Sequence, residues 1–214
     1  TNLEHLHLQN NQLTSIDITS CGKLRYLEVN NNSLSNLLLS PCAFNDLCYQ
    51  IPEYAGHFIL RANDNLLSSI DLSNCNVLKA LNLSQNNLNF LDLSSNDSLM
   101  QLDVSQNNLF TLNVNNNNNI NFSNLSSNFP TFDTRFNPNL HCINVDDSSY
   151  SSSNWTNIDS QQYFDNNCTY NFGCTDSLAN NYDSTATVDD GSCIYPPNTV
   201  YNIVANSVDH TTLK

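Results

Sequence analysis

Positive charge is scarce in this chain. Six Lys and Arg stand against 20 Asp and Glu in 214 residues, a formal net charge of −14. Such a surface repels phosphate backbones and anionic membranes, which argues against a nucleic-acid partner. No apolar run approaches the roughly 18 residues that span a bilayer, so no membrane insertion is expected. Glycine is almost absent, with 4 residues, while Asn and Ser are abundant, including five asparagines at 115–119. Turns must therefore be made largely by Asn, the non-glycine residue that best tolerates left-handed backbone. No G-x-S-x-G, H-E-x-x-H or P-loop occurs, so nothing supports an enzyme and no cofactor is required. None of the eight cysteines forms a C-x-x-C pair, which weakens a zinc or redox reading. Their even number suggests an oxidising, extracellular compartment. The chain starts at Thr1 without a Met and is in a leucine pattern by Leu3. A piece of a longer protein is expected, with any signal peptide upstream.

What is present is a repeat. Leu3, Leu6, Leu8, Asn11, Leu13, Ile16 and Ile18 form one row, and Leu24, Leu27, Val29, Asn32, Leu34, Leu37 and Leu39 the next. After an interruption come Leu60, Ala62, Asn65, Leu67, Ile70 and Leu72. Two clean rows follow, from Leu78 through Asn86 to Leu93 and from Leu99 through Asn107 to Val114. A degenerate row runs from Ile120 through Leu125 and Asn128 to Phe132. The period is 21, apart from one row of 33 whose extra residues loop out near 45–56. That insertion carries Tyr49, Pro52 and Tyr54, and reads either as a binding loop or as a tolerated excursion.

The pattern L-x-x-L-x-L-x-x-N-x-L-x-x-L-x-L resembles the leucine-rich repeat family, and its short period resembles the internalin type. The fold class expected is a β-rich solenoid with short parallel strands on the concave face and extended segments on the convex face. The resemblance implies that Asn11, Asn32, Asn65, Asn86, Asn107 and Asn128 are buried in a ladder, their amides bonded to neighbouring coils. A buried amide can share an interior with leucine when its hydrogen bonds are met.

By the same register His5, His7, Tyr26, Glu28, Ile59, Arg61, Ala80, Asn82, Gln101 and Asp103 face the concave side, with Asn63 and Ser105 beside them. Such a flat array suits recognition of a protein or glycan and excludes too little water for catalysis. The His5, His7, Tyr26, Glu28 cluster could contact a ligand or a metal, against the plainer reading of a solvated face.

Cys21, Cys42 and Cys75 share position 19 of their rows, as stacked thiols or bridged; a local Cys42–Cys48 bond is the preferred pairing. The stretch from Leu140 abandons the repeat after Val145 and brings in the lone tryptophan, Trp155, with Ile158 and Phe164. It resembles the C-terminal cap of secreted bacterial leucine-rich repeat proteins, which implies a Cys142–Cys168 bond and Trp155 as a plug.

"GCTDSLANNYDSTATVDDGSCIY", residues 173–195, resembles a two-cysteine module of secreted Bacteroidetes proteins, in which Cys174 and Cys193 close a small loop. Asp176, Asp183, Asp189 and Asp190 in that loop offer hard oxygens for a calcium ion, with solvated turn carboxylates as the plainer reading. "NTVYNIVANSVDHTTLK" resembles the opening of a fasciclin-type adhesion domain, and residues 199–214 are expected to be poorly packed.

The domains expected are 1–139 (repeats), 140–168 (cap), 169–196 (two-cysteine module) and 197–214 (the start of a fasciclin-like domain). The function expected is an extracellular, monomeric binding segment of a multidomain bacterial surface protein, contacting a protein or glycan on a cell surface. The alternative is a structural spacer that displays the downstream adhesion domain.

Overall fold

The computed structural model describes residues 2–39, 58–123, 130–189 and 191–196. The insertion near 45–56, Leu125, Asn128, the Cys42–Cys48 pairing, Asp190 and the fasciclin-like stretch lie outside them. Two compact units divide the chain, Thr1–Thr169 and Tyr170–Lys214.

In chain order the strands are β1 (His5–His7), β2 (Ser15–Asp17), β3 (Tyr26–Glu28), β4 (Asn36–Leu38), β5 (Phe58–Arg61), β6 (Leu78–Asn82) and β7 (Phe90–Asp92). They continue as β8 (Gln101–Asp103), β9 (Thr111–Asn113), β10 (Phe132–Asp133), β11 (Cys142–Asn144), helix α1 (Ser148–Asn154), β12 (Tyr163–Asp165), β13 (Phe172–Gly173) and β14 (Val188–Asp189). The first unit is a solenoid. One face is a parallel sheet in the order β1-β3-β5-β6-β8-β10. Its register puts His5 beside Tyr26, then Ile59, Ala80 and Gln101, so even the 33-residue coil returns to the same column. Each L-x-L sends its leucines inward, where Leu27, Leu60, Leu81 and Leu102 are fully buried.

The chain leaves each strand through a left-handed residue at one fixed position: Asn10, Asn31, Asp64, Gln85, Gln106 and Phe136, with φ between 54° and 61°. The residue after each is the ladder asparagine. Asn11, expected to be buried, is instead exposed and donates only within its own coil, because no coil precedes it among the described residues. Asn65 accepts the Leu34 N–H on Oδ1 at 2.9 Å and donates from Nδ2 to the Val29 carbonyl at 3.0 Å and to Ala62 of its own coil at 3.2 Å. Asn32, Asn86 and Asn107 repeat this scheme one coil at a time.

The last coil departs from the sequence expectation. Phe132 pairs with Leu102, so it stands at the second leucine position and does not end a row. Ile120 is an exposed residue of a 3-10 turn, Asn119–Asn121. The ladder position after Asn107 belongs to Asn137, which accepts from Leu109 N–H at 3.0 Å and donates to the Val104 carbonyl at 3.0 Å. Leu140, Ile143 and Val145 complete that same coil, all fully buried.

The convex side is extended, as its x-L-x-L pattern predicts. It forms two parallel sheets, β2-β4 and β7-β9-β11-β12. Between them the third coil joins neither sheet, and a cavity of about 290 Å³ lies there, lined by Leu37, Leu39, Ile70 and Cys75 among others. A second polar file runs inside this edge. Fully buried Asn96, in the column of Cys21 and Cys75, donates to the carbonyls of Leu72 at 3.0 Å and Cys75 at 2.8 Å. Asn116 in turn donates to the Asn96 carbonyl at 3.0 Å. Cys21 is a half-buried thiol. Cys75 is disulfide-bonded, and the other half of that bond lies outside the described residues.

The cap closes the apolar end. A disulfide joins Cys142 to Cys168. Trp155 stacks on Phe132 at 4.1 Å between centroids and meets Phe122 at 4.8 Å and Phe164 at 5.6 Å. β12 adds one more strand beside β11, so the cap continues the convex sheet as well as plugging the core. The serine-rich helix α1, which the repeat pattern gives no hint of, starts because Asp147 accepts the N–H groups of Ser149 and Tyr150.

The second unit, by itself, is a small parallel pair, β13 and β14, closed by the Cys174–Cys193 disulfide around buried Cys174, Ala179 and Val188. Gly191 turns the chain at φ 75°, a conformation that suits glycine.

Candidate functional site

The solenoid register brings the open half of the concave face together from three coils. Tyr26 is its centre. The His5 ring stacks near it at 6.1 Å and the His7 ring lies at 5.1 Å, while the Arg61 guanidinium sits over it at 5.6 Å. A strand spacing of about 4.8 Å files these side chains against one another. Glu28 joins the coils by charge: its carboxylate meets His7 Nδ1 at 3.0 Å and Arg61 at 3.5 Å. Burial is the main cause that pushes the Tyr26 phenol up from its ordinary value; Arg61 opposes it, and Glu28, which is hydrogen-bonded to the phenol, adds to the rise. His5 and His7 are exposed, and Tyr26, Glu28, Ile59 and Arg61 are half-buried. Among the described residues no group of three His, Cys, Asp or Glu side chains is placed to hold a metal ion.

The other half of the face differs from the open platform the pattern suggests. Ala80 is buried, and Asn82 is 9 % exposed, Asp103 8 % and Gln101 0 %. Asp133, 2 % exposed, continues the column one coil on, where Arg135 holds it bidentately. Sequence reasoning missed Asp133, Arg135 and Asn137 because a longer coil shifts them out of the 21-residue grid. A shorter signal was available: Asn82-x-Ser84-x-Asn86 and Asp103-x-Ser105-x-Asn107 recur as Asp133-x-Arg135-x-Asn137.

Asp103 Oδ1 accepts from Ser105 N–H at 3.0 Å and from its hydroxyl at 2.7 Å. Burial dominates over these bonds, and with Asp133 nearby it holds the Asp103 carboxyl above the ordinary carboxylate range. An acid whose pKa is raised on folding contributes stability below its unfolded value, and that stability is lost as pH rises through the folded value. Asp103→Asn keeps the Oδ1 acceptor and copies Asn82. The expected result is a melting temperature a few degrees higher at pH 7 and unchanged near pH 3, measured by circular dichroism at both pH values.

The carboxylates proposed for calcium are spent singly on turns. Asp176 accepts from Leu178 N–H and the Tyr195 hydroxyl, Asp183 from Thr185, and Asp189 from Gly191 N–H. Asp176 and Asp183 lie below the ordinary range, led by the Leu178 backbone bond and the Thr185 hydroxyl bond respectively.

A profile of the family described as leucine-rich repeats, in two copies, matches residues 1–41. No curated protein matches the chain. Among solved structures, the chain is similar to the functional domain of InlJ from Listeria monocytogenes, described as including a cysteine ladder. Identity is 22 % and the TM-score 0.27, over 77 % of this chain and 43 % of that one. The chain thus spans less than half the length of that structure.

Proposed function

We propose that the chain is an extracellular binding segment of a multidomain bacterial surface or adhesion protein, recognising a protein or glycan through its concave face. The observation that carries this reading is the Tyr26 cluster. Tyr and Arg held rigid on adjacent strands are the residue types that dominate binding energy at interfaces. Strands stacked in register fix these side chains before a ligand arrives, which lowers the entropic cost of association. Disulfides at Cys142–Cys168 and Cys174–Cys193 support an oxidising compartment. The fasciclin-like stretch at its C-terminal end supports an adhesive context.

A second reading, a spacer without its own ligand, draws on one feature of the same cluster. Both sides of the Tyr26 ring are engaged internally, by His7 and by Arg61, and Glu28 already has two cationic or polar neighbours.

The Tyr26→Ala, Arg61→Ala double variant separates the two. Binding of the purified chain to target cells and to a glycan array is expected to fall at least about 30-fold, the effect of losing one interface hot spot. Binding that is absent in the parent chain and retained by the downstream domain alone supports the spacer.

A further inference from the structure

We propose that Asn82 and Asp103 form a subsite for a vicinal pair of sugar hydroxyls. This rests on the concave-face reading and names the ligand class for its buried half. The two side chains are register partners on β6 and β8. Each is locked by the serine two residues on: Asn82 Oδ1 accepts from Ser84 N–H at 3.0 Å and its hydroxyl at 2.8 Å, as Asp103 Oδ1 does from Ser105. The locks are the same, so the other atom of each group, Asn82 Nδ2 and Asp103 Oδ2, is presented side by side about one strand spacing, ~4.8 Å, apart. Among the described residues neither atom is hydrogen-bonded, and neither is sealed from solvent. A fixed, unspent donor thus stands beside a fixed, unspent anionic acceptor, both on side chains more than nine-tenths buried.

The pair selects its ligand by chemistry. One hydroxyl of a diol donates to Asp103 in a charge-assisted bond while its neighbour accepts from Asn82. An ammonium or guanidinium has no acceptor for the Asn82 amide. A peptide backbone would have to pair at a strand edge, and β6 and β8 are each paired on both sides. A hydroxyl is small enough to reach groups with so little exposed surface. Arg135, whose charge reaches Asp103, holds Asp133 bidentately and makes no hydrogen bond to Asp103.

The test is an NMR titration of the whole chain with methyl glucoside, methyl galactoside and methyl mannoside, following the Asn82 side-chain amide and the backbone of 82–84 and 101–105. At least one glycoside is expected to shift these signals to saturation. Asn82→Asp and Asp103→Asn each keep the serine lock, and each should weaken that titration at least tenfold. The swap variant Asn82→Asp with Asp103→Asn restores a donor beside an acceptor, and should recover part of the loss. No shift with any glycoside, shifts unaltered in Asp103→Asn, or shifts evoked equally by an arginine-containing peptide would overturn the proposal. The glycoside titration reads this subsite alone and binding of the parent chain to cells reads the broader adhesion reading, so either can fail while the other holds.

Discussion

Trp155→Ala is expected to lower stability by about 3–5 kcal/mol, the usual cost of truncating a buried aromatic. Trp155 is 4 % exposed and touches Phe122, Phe132 and Phe164 at once, so its loss opens a cavity that the flanking rings cannot fill by small shifts. The location makes the effect large. A solenoid coil contacts only its neighbours, so the last coil has no further leucines to cover it and depends on its cap. For a unit of this size the melting temperature should fall by roughly 6–20 °C. Trp155→Phe, which keeps a ring against Phe132, should cost well under half as much. Thermal melts followed by far-ultraviolet circular dichroism check both variants; equal stability of Trp155→Ala and the parent would show that the cap does not hold the core.

Asn86→Ala is expected to cost about 1–3 kcal/mol, although no apolar contact is removed. The side chain serves Leu67 N–H and the Ala62 carbonyl of the preceding coil and Leu83 of its own. Alanine leaves the buried Leu67 N–H orphaned, at about 1–3 kcal/mol, while the Ala62 carbonyl keeps the Asn65 amide and the Leu83 carbonyl keeps that of Asn107. Asn11→Ala is the control. Its exposed amide donates only within its own coil, to the carbonyls of Leu8 and Gln9, so a loss below about 1 kcal/mol is expected. Urea titrations of the two variants should therefore separate clearly. Similar midpoints would mean that the file of asparagines does not bind coil to coil.

Much of this was legible because the repeat is redundant. A leucine at Leu27 or Leu81 belongs to a column of like residues, and any error in one row is corrected by the others. The concave residues His5, Tyr26 and Ile59 follow from that register even across the 33-residue coil. Redundancy ends in the asparagine-rich stretch after Val114, where several spacings are equally good. There the 21-residue grid put the ladder position at Asn128, and the pairing of Phe132 with Leu102 moves it to Asn137. Asn96 was hidden for another reason: its column begins with Cys21 and Cys75, so a hydrophobic-looking position turns polar without a change of spacing. Helix α1 has no periodic signal because a single capping carboxylate and its seat against β12 create it.

The amino-acid order by itself determined the winding, the inward leucines and the positions of most ladder amides, since these depend on local spacing repeated many times. Burial of Asn82, Gln101 and Asp103, the meeting of His7, Glu28 and Arg61, and the break in the convex sheet were decided by tertiary structure alone. Those features depend on how far neighbouring coils approach at each level, a distance that the spacing of residues along the chain does not encode.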